Sequence, residues 1–355
     1  MNRLIFFFLC VTLLWGRTVI AQEPQKEEKP SPAGKSYGLF ENDDLLEITL
    51  RFDITTYLRK KPDEEYLKAE LILNPGGPDS ISRKIRLRTR GEFRRKTCQM
   101  APIELNLKKA KFGYSDLDSI GKLKLVTQCG YGTNDESYLL REYLVYKLFN
   151  AVTDTSFRVR LLKVNYIDNS KGRKPMTQWG FFLEPVSMLA KRTNTIEVES
   201  QKLTQKHIFP FVIDRLALFN YMAGNYDWSI PGQHNVKVFK PADMSMNQLG
   251  IAIPYDFDWS GIVNASYAVP VETTGLSSVR QRMFLGLCRP AEVFDRQLHL
   301  LGSKKEEFYS IINNFQYLKQ RDKEDIIAFL ETFFSQLKGN HNNIISYLRN
   351  SCKDF

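Results

Sequence analysis

Carboxylate and amide side chains are concentrated in two short neighbouring stretches of the chain. The stretch GNYDWSIPGQHN contains Asp227 and Asn235, and the stretch PYDFDWSG contains Asp256 and Asp258. Carboxylate and amide oxygens are ligands that Mg²⁺ accepts, while the ion keeps positions for water and phosphate oxygens. A separate aspartate can accept the proton of a hydroxyl nucleophile. The two stretches therefore contain the groups that phosphoryl transfer needs.

The elements around these residues read as a helix followed by a hairpin. The apolar run FPFVIDRLALFNYMA predicts a buried helix that ends at Gly224 and leaves Asp227 in a loop. NVKVF and LGIAIPY predict two strands, so Asn235 opens the first and Asp256 and Asp258 follow the second. The alternative is that these polar groups only bind backbone amides in turns. Two acids so close together repel each other unless a cation or an arginine lies between them.

The first part of the chain alternates between apolar and polar residues in five segments, which predicts an antiparallel sheet. A helix over NDESYLLREYLVYKLFNAV follows, with Asn134 or Asp135 as its cap, and then two more strands, FRVRLLKVNYI and WGFFLEP. From about Leu189 the pattern becomes helical. Segregated strands and helices predict an α+β protein.

At this point the residues resemble a known family. GNYDW…HN followed by PYDFDW is similar to the spore-coat CotH-type atypical kinases. IRLRTRGEFRRKTCQMAPIELNLK, YLLREYLVYKL and WGFFLEP resemble other segments of that family, in the same order. The resemblance implies a two-lobed protein-kinase-like fold, with a β-rich nucleotide-binding lobe over 37–188 that contains one inserted helix. A helical catalytic lobe would occupy 189–355.

The resemblance also implies roles for the acids. Asp227 would be the catalytic base and Asn235 a magnesium ligand. Asp256 and Asp258 would bind the same ion, and which of them is the principal ligand stays open. The implied activity is transfer of the γ-phosphate of ATP, with Mg²⁺ as cofactor, to a hydroxyl on a protein acceptor.

Binding of the phosphates requires cations of the protein. Arg86, Arg88 and Arg90 lie on one alternating face of a predicted strand, and Lys108 lies on one face of the next. Glu142, in the inserted helix, could pair with one of these arginines as the lysine–glutamate pair of protein kinases does. The alternative is that these side chains are solvated surface charges.

Two departures from the kinase pattern leave a second function open. The chain has no G-x-G-x-x-G loop, and Asp227 and Asn235 are further apart than in ordinary kinases. Asn225 could do part of the work of Asn235. The alternative function is therefore a non-catalytic binding or assembly protein of the cell envelope. A nucleic-acid partner is not expected, because no recognised nucleic-acid motif is present.

The amino-terminal residues predict export. Arg3 precedes an apolar run, and Val19 and Ala21 occupy the small-residue positions of a signal-peptide cleavage site after residue 21. An uncleaved anchor helix is the alternative, but the run is short for a bilayer. Residues 22–36 predict a disordered linker. The sequence thus predicts a secreted or periplasmic protein without a stable membrane anchor, and cleavage would lower the formal charge from +10 by two arginines to +8.

Four cysteines remain after the predicted cleavage site. An even number of cysteines in an exported protein is compatible with disulfides. Cys98 and Cys129 each adjoin a predicted strand and are the pair that we expect to be linked. Buried free thiols are the alternative.

Overall fold

The fold is described by a computed structural model that covers residues 34–170, 172–200, 202–243, 249–339 and 341–353. The predicted signal peptide and residues 22–33 of the predicted linker lie outside these residues. The division of nucleotide binding and catalysis between 37–188 and 189–355 stays a prediction.

Seven strands close into one mixed β-barrel, in the order β1-β2-β3-β4-β5-β7-β6. The strands of the barrel are β1 (Leu46–Phe52), β2 (Leu67–Leu73), β3 (Ile81–Thr89), β4 (Ile103–Asn106), β5 (Lys122–Thr127), β6 (Val159–Asp168) and β7 (Met176–Leu183). Their apolar residues alternate into the barrel, where a core that includes Ile48, Leu71, Leu87 and Leu105 is buried. The alternation seen in the sequence therefore marks the inner wall of a barrel.

The barrel closes because β1 pairs with β6 in parallel, from Leu46 opposite Leu162 to Phe52 opposite Asp168. The other neighbouring strands pair in antiparallel fashion. The predicted α+β, two-lobed protein-kinase-like fold is wrong, because the β-rich part is a closed barrel and a separate small sheet lies among the helices. Alternation identifies the strands, but it cannot show that the first strand returns to pair with the sixth.

The small sheet has the order β10-β9-β8. Its strands are β8 (Thr195–Glu197), β9 (Val236–Pro241) and β10 (Ile251–Pro254). The helices are α1 (Ile54–Lys60), α2 (Phe93–Thr97), α3 (Ser115–Asp118), α4 (Thr133–Val152), α5 (Val186–Thr193), α6 (Pro210–Ala223), α7 (Ala291–Ser303), α8 (Lys305–Asn314), α9 (Gln320–Gly339) and α10 (His341–Ser351). Among the described residues, no helix is long and apolar enough to cross a membrane.

A second core lies outside the barrel and includes buried residues of α4, α6, α9 and the small sheet. Helix α4 begins at Thr133 with Gly132 as its cap, so the predicted caps Asn134 and Asp135 lie inside the helix. The carboxylate of Asp135 accepts a hydrogen bond from the backbone N–H of Gly132 at 3.3 Å. Helix α6 is present as predicted and ends at Gly224.

Two disulfides link the described cysteines. Cys98 is bonded to Cys129, which confirms the expected pair. Cys288 is bonded to Cys352, next to the carboxyl end of α10. The first bond joins the residue after α2 to the segment after β5, and both of these elements border the site described below.

Candidate active site

The hairpin of β9 and β10 places Asn235 beside Asp256. Val236 pairs with Pro254 at the end of the ladder, so the residues just outside it are neighbours. The backbone N–H of Tyr255 donates to the carbonyl of Asn235 at 2.9 Å. Both Asn235 and Asp256 have left-handed backbones, with φ of 51° and 61°. Non-glycine residues rarely adopt this conformation, and where they do the site is often functional.

The loop after α6 brings Asp227 to the same place. Gly224 ends the helix with φ of 69°, and a Cβ there would meet the backbone nitrogen of Gly261 at 3.2 Å. The backbone N–H of Gly261 donates to the carbonyl of Gly224 at 3.1 Å, which ties the loop to the segment after Asp258. The buried Asn225 accepts the N–H of Asp227 at 3.1 Å and is occupied within this turn. Asn225 therefore shapes the loop.

The carboxylate of Asp227 is held by two neighbours. Its Oδ1 lies 2.8 Å from Nε2 of His234, and its Oδ2 accepts a hydrogen bond from Nδ2 of Asn235 at 2.8 Å. The hydrogen bond to Asp227 raises the pKa of His234, against the effect of burial. A backbone bridge between Ser229 and His234 returns the chain to this point. Because the amide nitrogen of Asn235 faces Asp227, its oxygen Oδ1 is the atom that can bind a cation.

Asp258 is buried and lies near Asp256. Burial raises the pKa of Asp258 to about 7, the charge of Asp256 adds to the increase, and Arg94 opposes it. The hydroxyl of Tyr267 also forms a hydrogen bond with Asp258. The repulsion expected from the sequence is thus present in the structure, and a cation between the acids would relieve it.

The donor set fits a magnesium ion. Among the residues that the structure describes, no group of three His, Cys, Asp or Glu side chains could hold a metal by itself. Two carboxylates and one amide oxygen are nevertheless a usual protein contribution to a Mg²⁺ site, in which waters and phosphates supply the other ligands. Asp256, Asp258 and Asn235 would hold the ion.

Arg94 supplies a buried positive charge opposite the acids. Its Nη1 lies 3.3 Å from Oε2 of Glu142, and its Nη2 donates to the carbonyl of Thr127. Burial raises the pKa of Glu142 well above its usual value, and Arg94 opposes that increase. The Cys98–Cys129 bond and the hydrogen bond from the N–H of Cys98 to the carbonyl of Arg94, 2.9 Å, hold α2 in place.

Arg94 and the polar residues of the two loops line one cavity of about 490 Å³. Arg90 lines it, and the Nε atom of Arg90 is buried without a hydrogen-bond partner among the described residues. The cavity is lined by Arg90, Gly91, Glu92, Phe93, Arg94, Lys96, Pro102, Asp227, His234, Asn235, Asp256, Asp258 and Trp259.

A second cavity of about 460 Å³ adjoins the first. Tyr255 lines the second and its chain neighbour Asp256 lines the first. Lys124 also lines the second cavity, and burial, with a contribution from Arg90, lowers its pKa to about 8. The two cavities together could hold a ligand with an anionic end and a less polar end.

Some of the site residues inferred from the sequence line the first cavity and others do not. Asp227, Asn235, Asp256, Asp258 and Arg90 share the cavity. Glu142 does not line the cavity. It pairs with Arg94, a residue that was not expected from the sequence.

Two of the cations named from the sequence lie outside the cavity. Arg88 donates to Glu104 at 2.9 Å and to the carbonyl of Asp63 at 2.7 Å on the outer side of the barrel. The Lys108 side chain passes over Gly121 and does not line the cavity.

Sequence reasoning also missed Lys124, Tyr146 and Tyr267. Lys124 alternates with Leu123 and Leu125, so the pattern placed it outside the barrel but could not place it at a cavity. For the two tyrosines the sequence carries no signal, because long-range packing brings the hydroxyl of Tyr146 to the backbone N–H of Asp256 and that of Tyr267 to the carboxylate of Asp258.

Comparison with solved structures gives a weak likeness. No protein-family model matches the chain, and no curated protein matches it. The resemblance to the CotH-type kinases is therefore not confirmed. A crystal structure of the proinflammatory kinase CtkA of Helicobacter pylori is similar with a TM-score of 0.40 and 11% identity, over 64% of this chain and 91% of that one. At that level the likeness is too weak to support a function.

Proposed function

We propose that the protein is a phosphotransferase that moves the γ-phosphate of ATP, bound with Mg²⁺, to a hydroxyl group of a protein acceptor. The observation that carries the proposal is the single cavity that brings Asp227, Asn235, Asp256 and Asp258 to face Arg90. Phosphoryl transfer needs carboxylates that bind the metal ion and a separate carboxylate that acts on the acceptor hydroxyl. It also needs a positively charged side chain that binds the phosphates.

The basic residues would bind the phosphates. Arg90 has a buried Nε without a partner among the described residues, and a phosphate oxygen would supply one. Arg94 is held in place by Glu142 and contributes a fixed positive charge. Lys124 lines the second cavity, where its side chain could contact the nucleotide beyond the phosphates. The cavities therefore suit a nucleotide that extends from Lys124 to the acids.

Asp227 would act on the acceptor. Its hydrogen bonds to His234 and Asn235 fix the direction of the carboxylate, so an incoming hydroxyl meets a group that is already oriented. The carboxylate would accept the hydroxyl proton as the acceptor oxygen attacks the γ-phosphorus, while the bond from that phosphorus to the β-phosphate oxygen breaks and ADP leaves. A bound magnesium ion would neutralise phosphate charge, and Asp256, Asp258 and Asn235 are the residues of this chain that would hold it.

One observation favours a second function, that of a non-catalytic binding or assembly protein of the cell envelope. Both carboxylate oxygens of Asp227 already contact partners within the chain. If these contacts are the whole role of the carboxylate, it holds His234 and Asn235 in place and takes no proton. In that case the site would bind nucleotide without transferring phosphate.

We also propose that the protein acts outside the cytoplasm. The amino-terminal sequence has the features of a signal peptide, and the two disulfides suit an oxidising compartment. Non-reduced peptide mapping of protein from the native host, with identification of its amino terminus, tests this point. An intact amino terminus together with free thiols would contradict it.

A thermal shift assay with ATP, with and without Mg²⁺, tests the proposed site. A ligand that binds only the native state raises the unfolding midpoint by mass action. We expect a rise that requires Mg²⁺ and is lost in Asp256→Asn. The matched control is Asp79→Asn, because Asp79 is exposed in the turn between β2 and β3. An unchanged affinity in Asp256→Asn would remove the metal-site assignment.

A further inference from the structure

Tyr146 contacts the backbone of the metal-ligand candidate Asp256. Its side chain is buried, and its hydroxyl oxygen accepts a hydrogen bond from the N–H of Asp256 at 2.7 Å. Asp256 has φ of 61°, a conformation that a non-glycine residue holds only when its surroundings support it. The direction of the Asp256 carboxylate depends on that conformation, so the hydroxyl of Tyr146 bears directly on where the carboxylate points.

Two aromatic rings fix the position of this hydroxyl. The ring of Tyr146 packs edge-on against Phe257 at 4.9 Å and against Phe181 at 5.6 Å between centroids. These contacts belong to the ring, and a phenylalanine at position 146 would keep them. The hydroxyl can therefore be removed with little change in packing.

The face of α4 that carries Tyr146 also contacts Arg94, on the cationic side of the cavity, through Glu142. Glu142 lies four residues before Tyr146 on α4, and residues four apart share a helix face. Glu142 pairs with Arg94, and Tyr146 holds Asp256. The helix is itself anchored, since Arg141 donates to Asp322 at 2.9 Å and to the carbonyl of Ile262 at 3.3 Å. Helix α4 thus connects the cationic wall of the cavity to the acidic one.

We propose that Tyr146 is a positioning residue that orients Asp256 for magnesium through the backbone N–H of Asp256. This inference rests on the proposed function, because it assumes that Asp256 binds the ion. Partners that orient a metal ligand typically change metal affinity or activity by about 10–100-fold when they are removed.

The test compares Tyr146→Phe with Tyr166→Phe. Tyr166 is also fully buried, but it lies inside the barrel and its hydroxyl has no hydrogen-bond partner among the described residues. Binding of Mn²⁺, as a probe of the magnesium site, is measured by electron paramagnetic resonance with a non-hydrolysable ATP analogue present. We expect Mn²⁺ to bind about 10–100-fold more weakly to Tyr146→Phe, and Tyr166→Phe to bind like wild type.

The outcomes separate this inference from the proposed function. Equal Mn²⁺ affinity in wild type and Tyr146→Phe would overturn the role of Tyr146 and leave the proposed function standing. Equally weakened Mn²⁺ binding in Tyr146→Phe and Tyr166→Phe would also overturn the role of Tyr146, because the loss of any buried hydroxyl would then explain the effect. A wild type that binds neither the analogue nor Mn²⁺ would overturn the proposed function, and the inference with it. Where transfer is measurable, Tyr146→Phe should raise the Mg²⁺ concentration for half-maximal rate, with a smaller change in the rate at saturation.

Discussion

Removing one disulfide at a time should separate stability from nucleotide binding. Cys98–Cys129 spans 31 residues and Cys288–Cys352 spans 64. The loop-entropy relation assigns about 3.7 kcal/mol to the first bond and about 4.3 kcal/mol to the second. On stability alone, the double variants Cys98→Ala/Cys129→Ala and Cys288→Ala/Cys352→Ala should therefore lose similar amounts.

Their effects on the site should differ. Cys98 directly follows α2, whose Arg94 lines the cavity. No chain neighbour of Cys288 or Cys352 lines it. Loss of the Cys98–Cys129 bond should loosen the contact between Arg94 and Glu142. A charge-assisted hydrogen bond contributes about 1.5–3 kcal/mol, which corresponds to roughly 10- to 150-fold in affinity.

Two measurements on each variant check this expectation. Urea unfolding gives the loss in free energy of unfolding, and titration with ATP and Mg²⁺, well below both unfolding midpoints, gives the affinity. We expect both variants to be destabilised and only Cys98→Ala/Cys129→Ala to bind nucleotide more weakly. Unchanged affinity in that variant, or an equal loss in both, would refute the link between this disulfide and the site.

Two further substitutions have matched controls. Arg90→Gln should weaken binding of ATP by roughly tenfold or more, since it removes a cation from the cavity. Arg51→Gln should not, because Arg51 pairs with Glu70 and neither residue lines either cavity; equal titration curves for the two variants would contradict this. Gly224→Ala should lower the free energy of unfolding by roughly 1–3 kcal/mol, and by more than Gly275→Ala. Both glycines have positive φ, but a Cβ meets neighbouring atoms only at Gly224; an equal loss in urea unfolding would contradict the steric argument.

The sequence identified the strands of the barrel but not their arrangement. Leu46, Ile48 and Leu50 alternate with polar residues and do face the core, as the period of two predicts. Besides its neighbour β2, this strand pairs with β6, more than 100 residues further along the chain, and no local pattern indicates a pairing at that distance. The closure of the barrel is therefore visible only in the structure.

The acids were predictable because their grouping is local. Asn235 precedes β9 and Asp256 follows β10, so the antiparallel pairing of these two strands brings both residues to the same end. The cations were harder to place, because alternation cannot show which part of the outer barrel surface another element covers. Arg88 alternates correctly and still points away from the cavity, whereas Arg94 lies on a helix of five residues that has no periodicity to interpret.

Transfer of labelled γ-phosphate from ATP tests the central claim most directly. Wild type and Asp227→Asn are incubated with Mg²⁺ and labelled ATP, first alone and then with candidate protein acceptors, after both have been shown to bind nucleotide. We expect transfer by wild type and a loss of about 10²–10⁴-fold in Asp227→Asn, the usual contribution of a positioned general base. A wild type that binds nucleotide tightly and transfers phosphate to no acceptor, or an Asp227→Asn variant that transfers as fast as wild type, would contradict it.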